Sequence, residues 1–414
     1  MNNYPYHVVY SESAFDEFDR TFASRPASFH LVADAHTWQV SGAAVWDRCV
    51  RLDPGARKTV FDDGHLVASD LTLARLDPQL DDPRRTLVAV GSGTITDLVR
   101  FAATQRKMSY VLFPTAPSVD AYTSENAAMI MNGAKQTFPA RAAHAIFIDP
   151  RVITSAPAEM LAAGFGDILG KYTALADWSL GRLLWQEPYD RQVAENARSA
   201  LERCVAVVDG IARREPIAIQ TLMESLLASG RSMAQVGSSR PASGSEHHIA
   251  HFCEMRQIQA GRQPVLHGLK VGLACALSAG LYASLRNLTL TEVKDRLEHA
   301  AYPIRPEWMD TLRVELGPAA PALLADQMPY LTLNSEQWQG LRNQIVDAWD
   351  EIQAVARLVP SAETIQALLV RAGGPADFSS AQVPAEDVRA ALRYAQYLRN
   401  RFTILRLADL IGLD

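Results

Sequence analysis

Four of the ten histidines fall between positions 247 and 267, and their spacing is typical of a metal site. His247 and His251 would share one face of a helix, because residues four apart are neighbours there. A carboxylate from Asp167 with imidazoles from His247 and His267 would hold a divalent cation and leave coordination positions open for a substrate. The pattern therefore predicts a catalytic metal centre. Core or solvated histidines without a metal are the alternative.

A glycine-rich turn follows an apolar run earlier in the chain. The run 86–90 predicts a buried strand, and Gly91-Ser92-Gly93 leads into a helical segment. Backbone N–H groups at such a helix N-terminus can approach a pyrophosphate where no Cβ atom intervenes. Thr96 stands where the dinucleotide-binding pattern Gly-x-Gly-x-x-Gly has its third glycine. The segment predicts a dinucleotide site, and an ordinary strand–helix turn is the alternative.

A loop rich in hydroxyl groups follows the next predicted strand, over residues 113–124. Two prolines restrict its backbone, which suits a rigid platform for a ligand. The polar side chains that it would present are those of Thr115, Ser118, Asp120 and Ser124. The alternative is a capped turn, in which Asp120 or Ser118 accepts a hydrogen bond from a helix N–H group.

The elements that must position these residues change in character near residue 150. Before it, four runs predict strands of a mostly parallel sheet, at 29–33, 86–90, 109–113 and 145–148. After it, long segments rich in Ala, Leu, Glu, Arg and Gln predict helices. Their expected breaks are at Pro188, Pro216, 237–244, Pro264, Pro303 and Pro360. We therefore expect an α/β dinucleotide-binding domain over 1–153 and an all-α helical bundle over 154–414.

Composition narrows the class of protein. The 414 residues are 48% hydrophobic and 21% charged, which is usual for a soluble globular chain. A formal charge of −6 without Lys or Arg clusters argues against nucleic acid as a partner. The four cysteines lack metal-site or disulfide spacing, so we expect a reducing, cytoplasmic setting. The N-terminus lacks a secretory pattern, and the apolar stretch 271–285 is short for a membrane span, so it predicts a buried helix.

Several motifs, in order along the chain, resemble those of the sn-glycerol-1-phosphate dehydrogenase family, and most closely those of its bacterial branch. They are the Gly-x-Gly-x-x-x-Asp turn at 91–97, Pro-Thr-Ala-Pro-Ser-x-Asp at 114–120, Ala-Gly-x-Gly-Asp at 163–167 continuing to Lys171-Tyr172, Ala-Asp-Trp at 176–178, 240–247 and Leu-His-Gly at 266–268. The resemblance covers about residues 28 to 290. It implies the fold of the superfamily that joins iron-containing alcohol dehydrogenases, glycerol dehydrogenase and 3-dehydroquinate synthase.

The resemblance also implies a role for each matching residue. Asp167, His247 and His267 would be the metal ligands, with Asp167 also acting in catalysis next to the substrate. Asp120 and His251 would contact the substrate, and His251 could relay a proton. The expected contacts of the nicotinamide dinucleotide are Asp34, Gly91, Gly93, Thr94, Ile95, Thr96, Asp97, Thr115, Ala116, Pro117, Ser118 and Ser124. An acid at position 34 would bind a ribose hydroxyl.

The implied reaction is hydride transfer between NADH or NADPH and C2 of dihydroxyacetone phosphate, which gives sn-glycerol 1-phosphate for phospholipid biosynthesis. The family precedent is one Zn²⁺ or Ni²⁺ ion that polarises the carbonyl, in a homodimer. Ser92 replaces a usual glycine, and Val119 and positions 122–123 also depart from the family pattern. Two alternatives stay open: a lyase like 3-dehydroquinate synthase, with the same metal and NAD, and a catalytically silent homologue that binds a sugar phosphate.

Overall fold

The computed structural model describes residues 7–24, 27–131, 134–300 and 306–413. Its strands are β1 (His7–Tyr10), β2 (Phe29–Asp34), β3 (Arg57–Phe61), β4 (Thr86–Gly91), β5 (Tyr110–Pro114), β6 (Asn126–Met131), β7 (Ala134–Pro139) and β8 (Ala145–Ile148). The four predicted strands are confirmed as β2, β4, β5 and β8. The edge strands β1 and β3 and the hairpin β6–β7 were not predicted.

Six strands form one parallel sheet in the order β1-β8-β5-β4-β2-β3. Its four central strands are buried on both faces, as parallel strands covered by helices are. Val88 lies opposite Leu31 on one side and Val111 on the other. The edge strands lacked a clear signal because β1 has four residues and β3 begins with exposed Arg57 and Lys58.

The helices are α1 (Ala14–Ala23), α2 (Ala35–Thr37), α3 (Ala43–Leu52), α4 (Asp70–Leu76), α5 (Gly93–Gln105), α6 (Pro150–Thr154), α7 (Ala158–Leu169), α8 (Lys171–Trp185), α9 (Arg191–Ala206), α10 (Val208–Ala212), α11 (Pro216–Val236), α12 (Ser245–Gln259), α13 (His267–Arg286), α14 (Leu290–His299), α15 (Pro306–Leu316), α16 (Ala320–Leu331), α17 (Ser335–Asp347), α18 (Trp349–Arg357), α19 (Ala362–Arg371), α20 (Ala385–Tyr394) and α21 (Ile404–Ile411). A π-helical turn covers Trp38–Gly42, and 3₁₀ turns cover Asp77–Gln79, Asp120–Thr123, Gly317–Ala319 and Ala395–Tyr397.

Within the described ranges, every strand lies before residue 149, so the α/β and helical parts are confirmed in the predicted order. The predicted helix breaks also lie at or between helix ends, except that Pro303 falls outside the described residues. Pro216 begins α11, where a missing N–H group costs nothing.

By its internal contacts the chain forms two compact units. The first contains residues up to Gly164 together with Ala206–Gly237, and the second contains Phe165–Val205 and Ser238–Asp414. Helix α11 belongs with the sheet because it packs on the turn that follows β5: the Thr123 hydroxyl donates to the carbonyl of Leu227 at 2.7 Å. The boundary after residue 153 stays a prediction, and by contacts residues 154–164 and 206–237 group with the first unit.

Helix α13 is the one helix in the described residues that is long and apolar enough to cross a membrane. In its most apolar window, 72% of the residues are buried in the structure, as in the core helices of soluble proteins. The helix also contains Lys270, whose ammonium pairs with Glu254 at 3.1 Å. These features match the predicted buried helix at 271–285.

Candidate metal centre and cofactor turn

The second unit brings together the three predicted metal ligands. Asp167 lies near the end of α7, His247 in the first turn of α12, and His267 at the first position of α13. Each offers one donor atom, and these atoms all lie within 4.8 Å of one another. Asp167 and His247 are buried, while the His267 side chain is 22% exposed. The cluster is therefore buried at Asp167 and His247 and partly exposed to solvent at His267.

Gly166 allows the helices that carry Asp167 and His267 to approach each other closely. A Cβ atom built on Gly166 would lie 2.3 Å from the carbonyl oxygen of Gly268, a distance that no side chain tolerates. Gly166 directly precedes Asp167, and Gly268 directly follows His267. The close backbone contact thus places the carboxylate and the imidazole side by side. Gly166 acts here through the absence of a side chain.

The orientation of His247 is fixed by its neighbour in sequence. Its Nδ1 donates to the Oε1 atom of Glu246 at 2.7 Å, so its Nε2 faces Asp167, 3.6 Å from Oδ1. The Glu246 carboxylate is fully buried and also accepts from the Thr173 hydroxyl and the Gly244 amide, both at 2.7 Å. A carboxylate on the far nitrogen of a ligating histidine fixes the ring and its tautomer.

Lys171 lies next to Asp167 in the site and contacts its carboxylate. Its ammonium, which is also buried, donates to the Asp167 carboxylate at 3.0 Å and to the Ala242 carbonyl at 3.1 Å. Burial alone would raise the pKa of Asp167, but the charges of Lys171 and His247 outweigh it and hold that pKa well below its usual range. Asp167 is therefore ionised and suited to bind a cation.

His251 lies beside the ligands and outside the donor set. Its ring stacks on that of His267 with centroids 5.2 Å apart and an angle of 28°, and its centroid is 5.8 Å from that of His247. It is half-buried. By contrast, His248 is fully buried, and neither of its ring nitrogens has a hydrogen-bond partner in the described part of the chain. The structure thus places the two histidines that follow His247 in different surroundings: His251 lies beside the predicted ligands, and His248 is buried in the protein interior.

The donor set fits a first-row divalent cation. Two imidazole nitrogens and one carboxylate oxygen suit Zn²⁺, Ni²⁺ or Fe²⁺, and three protein ligands leave coordination positions for a substrate. The pairing of His247 with Glu246 supplies the outer hydrogen bond that such ligands need.

The predicted cofactor turn lies in the first unit, between the end of β4 and the start of α5. A Cβ atom on Gly91 would lie 2.6 Å from Cβ of Ile95, and one on Gly93 would lie 3.1 Å from Val119. The Thr96 amide bonds to the Ser92 carbonyl at 3.0 Å as the helix begins. The amides of residues 93–95 precede that first helical bond and are the ones a helix leaves for an anion.

Other predicted cofactor residues have protein partners. Asp97 pairs with the fully buried Arg100 at 3.3 Å, and burial raises its pKa to about 6 despite that charge. The Asp34 carboxylate ends β2 and caps α2 by accepting from the Thr37 amide at 2.8 Å. Their roles toward a cofactor stay predictions.

The loop after β5 is held in place by its neighbours. Residues 115–118 are buried, and the Thr115 amide bonds to the Gly91 carbonyl at 3.2 Å. Arg100 donates to the carbonyls of Ala121 and Tyr122, at 2.5 and 3.1 Å. The polar side chains are engaged too: Asp120 accepts from Ser229 at 2.7 Å, and Ser124 accepts from the Asn126 amide at 3.1 Å. These contacts anchor the loop on several sides, and its role as a platform for a ligand stays a prediction.

Sequence reasoning did not assign Glu246, Lys171 or Asp177 to the site, although all three lie inside motifs that it had singled out. A lysine four residues after Asp167 was a usable signal, because that spacing brings two side chains together on a helix. The position of Glu246 directly before His247 was not such a signal, since adjacent residues on a helix do not usually face each other. Glu254 gave no such signal. Its Oε2 lies 3.9 Å from Nδ1 of His267, and this relation depends on how two helices pack.

Comparison with known proteins agrees with this geometry. Residues 10–157 match the family model of iron-containing alcohol dehydrogenases. Glycerol-1-phosphate dehydrogenase [NAD(P)+] from Bacillus velezensis is 35% identical over 382 residues, which cover 92% of this chain and 84% of that protein. The enzyme of the same name from Bacillus subtilis strain 168 matches equally, at 35% over 382 residues.

Solved structures share the fold. NADH-dependent butanol dehydrogenase A from Thermotoga maritima superposes with a TM-score of 0.61 at 11% identity, covering 100% of this chain and 98% of that one. The curated relatives and the family model favour an oxidoreductase over the lyase that the sequence left open. The chain belongs to the glycerol-1-phosphate dehydrogenase family, among the iron-containing alcohol dehydrogenases.

Proposed function

We propose that this protein is a metal-dependent glycerol-1-phosphate dehydrogenase, which reduces C2 of dihydroxyacetone phosphate with NADH or NADPH and one proton to give sn-glycerol 1-phosphate and the oxidised cofactor. The observation that carries the proposal is the convergence of Asp167, His247 and His267 within 4.8 Å. The names of the relatives supply the substrate and the cofactor. The presence of all three metal donors also argues against a homologue that binds a sugar phosphate without catalysis.

The site residues divide the chemistry. A divalent cation held by the three ligands would polarise the C2 carbonyl and stabilise the negative charge that develops on its oxygen as hydride is transferred. Lys171 keeps Asp167 ionised, so that a carboxylate takes part in ligation. Glu246 holds His247 with Nε2 toward Asp167. His251, beside His267, would supply the proton for the product hydroxyl.

The amides of residues 93–95 would bind the pyrophosphate of the cofactor at the start of α5. Asp34, at the end of β2, would accept from a ribose hydroxyl, which favours NAD over NADP because a 2′-phosphate would meet a negative charge. The same cofactor would also contact Thr115, Ser118 and Ser124. The substrate would contact Asp120. We propose Zn²⁺ or Ni²⁺ as the metal, and a homodimer in the cytoplasm. We place the boundary between the two domains after residue 153.

The test is a purification without air, with metal analysis, followed by oxidation of NADH and NADPH against dihydroxyacetone phosphate, dihydroxyacetone and other ketone phosphates. We expect about one metal ion per chain and rapid turnover with dihydroxyacetone phosphate alone. In the reverse direction, sn-glycerol 1-phosphate should give stable NADH and sn-glycerol 3-phosphate should not. A lyase would regenerate its NAD and give no net NADH. Metal-free protein that turns over normally would overturn the proposal.

A further inference from the structure

Asp177 lies in the interior of the second unit and joins three helices. Asp177 lies on α8 and is only 3% exposed. Its Oδ2 accepts from the Ser245 amide at 2.6 Å, and its Oδ1 accepts from the Tyr282 hydroxyl at 2.8 Å and from the Ile404 amide at 2.7 Å. Ser245 begins α12, Ile404 begins α21, and Tyr282 lies on α13.

Two of these bonds satisfy amides that a helix leaves without an internal partner. The first N–H groups of α12 and α21 have no acceptor within their own helices, and a carboxylate there is also favoured by the helix dipole. One buried carboxylate thus fixes two helix N-termini relative to each other. The third bond attaches α13, which begins with His267. Asp177 therefore contacts both helices that supply histidine ligands.

The segment just before His247 is held from two sides. A Cβ atom on Gly244 would lie 2.5 Å from Oδ2 of Asp177 and 3.0 Å from Oε2 of Glu246. The Gly244 amide donates to Glu246, and the next amide, that of Ser245, donates to Asp177. Consecutive peptide groups are thus bound to different carboxylates. These two bonds fix the start of α12 and therefore the position of His247, which lies in its first turn.

Residues 401–404, near the C-terminus, contact the loop 239–245 that precedes His247. The Arg401 guanidinium donates to the Ser243 carbonyl at 2.6 Å and to the Ser239 hydroxyl at 2.7 Å. The Phe402 amide donates to Glu187 at 2.9 Å, and Glu187 pairs with Arg240. Residues 401–404 therefore contact the loop 239–245 directly and also through Glu187 and Asp177.

We propose that Asp177 is a positioning residue for the metal centre, which ties the His247 and His267 helices to the C-terminal segment 401–411 so that the ligand histidines are held at the spacing a cation needs. The proposal rests on the metal role given above to Asp167, His247 and His267. It also gives the last part of the chain a function, as a part of the frame around the metal.

The principal variant is Asp177→Asn, examined in the full-length protein. Asparagine has one acceptor oxygen, so it cannot accept from Ser245 on one side and from Tyr282 and Ile404 on the other. Its NH₂ group would face a donor. We expect the Zn²⁺ dissociation constant, from competition with a chelator, to rise by about 10-fold or more. We also expect a changed absorption spectrum of the Co²⁺-loaded protein, since that spectrum reports ligand geometry.

Tyr282→Phe is the milder variant, because it removes one hydroxyl and keeps the ring. It should fold and raise the dissociation constant by a smaller factor, and it decides the question if Asp177→Asn does not fold. The matched control is Asp387→Asn. Asp387 is a buried carboxylate of the same unit, 2% exposed, that pairs with Arg256 and Arg262 at 3.1 and 2.9 Å. Its loss should lower thermal stability and leave metal affinity and the Co²⁺ spectrum unchanged.

The outcomes separate the two proposals. A wild-type protein that binds no stoichiometric metal overturns the proposed function, and this inference with it. A wild-type protein that binds metal, with unchanged affinity and spectrum in Asp177→Asn and Tyr282→Phe, overturns the positioning role alone. Equal loss of affinity in Asp177→Asn and Asp387→Asn would also overturn it, because a general loss of stability would then explain both.

Discussion

The imidazole of His247 donates from Nδ1 to Oε1 of Glu246, its direct neighbour in the chain, at 2.7 Å. Adjacent residues on a helix project about 100° apart and do not usually face each other. Here the Glu246 side chain reaches back toward the helix start, where it also accepts from the Gly244 amide. The bond leaves Nε2 of His247 as the nitrogen next to Asp167.

Replacing Glu246 by Gln should weaken metal binding and leave the fold. Gln keeps an acceptor but loses the charge that makes the imidazole a stronger ligand. We expect about 10-fold weaker affinity, at the lower end for such partners. Chelator competition with Zn²⁺ measures it. The control is Glu292→Gln, in the exposed capping box of α14, which should leave the affinity for Zn²⁺ unchanged. Unaltered affinity in Glu246→Gln would show that the bond does not tune the ligand.

His247→Ala and His267→Ala should each remove most of the bound metal and the activity, because each takes away one of three ligands. Metal content per folded chain is the measurement. His248→Leu is the matched control: the ring of His248 is buried and its nitrogens have no hydrogen-bond partner among the described residues. It should keep its metal. Metal loss in the control, with retention in the other two, would reverse the ligand assignment.

His251→Ala should retain metal and NADH binding while turnover falls by about 10²-fold, the usual effect of losing a proton-transfer group. The reason is its place beside His267, outside the donor set. Steady-state kinetics with metal analysis tests this. His299→Ala, at an exposed position at the end of α14, is the control. Metal loss as large as in His247→Ala would make His251 a ligand instead.

Gly166→Ala should disrupt the metal centre, because its Cβ atom would lie 2.3 Å from the Gly268 carbonyl. Separating these backbones moves Asp167 away from His267. We expect a loss of several kcal/mol of stability, the range seen for severe overpacking, together with loss of metal. Gly280→Ala is the matched control on α13, where nothing lies within 4 Å. It should raise the free energy of unfolding by about 0.5–1 kcal/mol. Melting curves separate the two.

His30 should make the stability of the protein depend on pH. Burial, helped by Arg85 and Arg57, lowers the pKa of His30 from 6.5 to about 4. Its Nε2 donates to Thr59, whose hydroxyl donates onward to Gln79, while Nδ1 has no hydrogen-bond partner in the described ranges. The folded protein therefore holds a neutral ring.

Between pH 6.5 and 4 the unfolded chain binds a proton at this residue that the folded chain does not, so stability falls as pH falls through that window. The contribution is on the order of 3 kcal/mol across it. His30→Gln keeps the donor and cannot titrate. Unfolding by denaturant at several pH values, with metal removed from both proteins, should show a smaller loss for the variant. Parallel curves would contradict the shift.

The sequence by itself determined much of the fold and which residues are candidate metal ligands. Apolar runs such as 86–90 predicted central strands because a strand buried on both faces must be apolar throughout. The spacing of His247 and His251 and the motifs around Asp167 and His267 predicted a metal site, because metal ligands are limited to a few residue types. The structure brings the donor atoms of Asp167, His247 and His267 together. Short or polar edge strands such as β3 gave weaker patterns, since half of each lies in solvent.

Tertiary structure decided the rest, because it depends on contacts between residues far apart in the chain. That Gly166 meets Gly268, that α11 packs with the sheet, and that Arg401 reaches Ser243 are products of helix packing. Asp177 was visible as part of a motif, but its three donors come from positions 245, 282 and 404. Local pattern reveals which residues can do chemistry. Only the packed chain fixes which of them are held together.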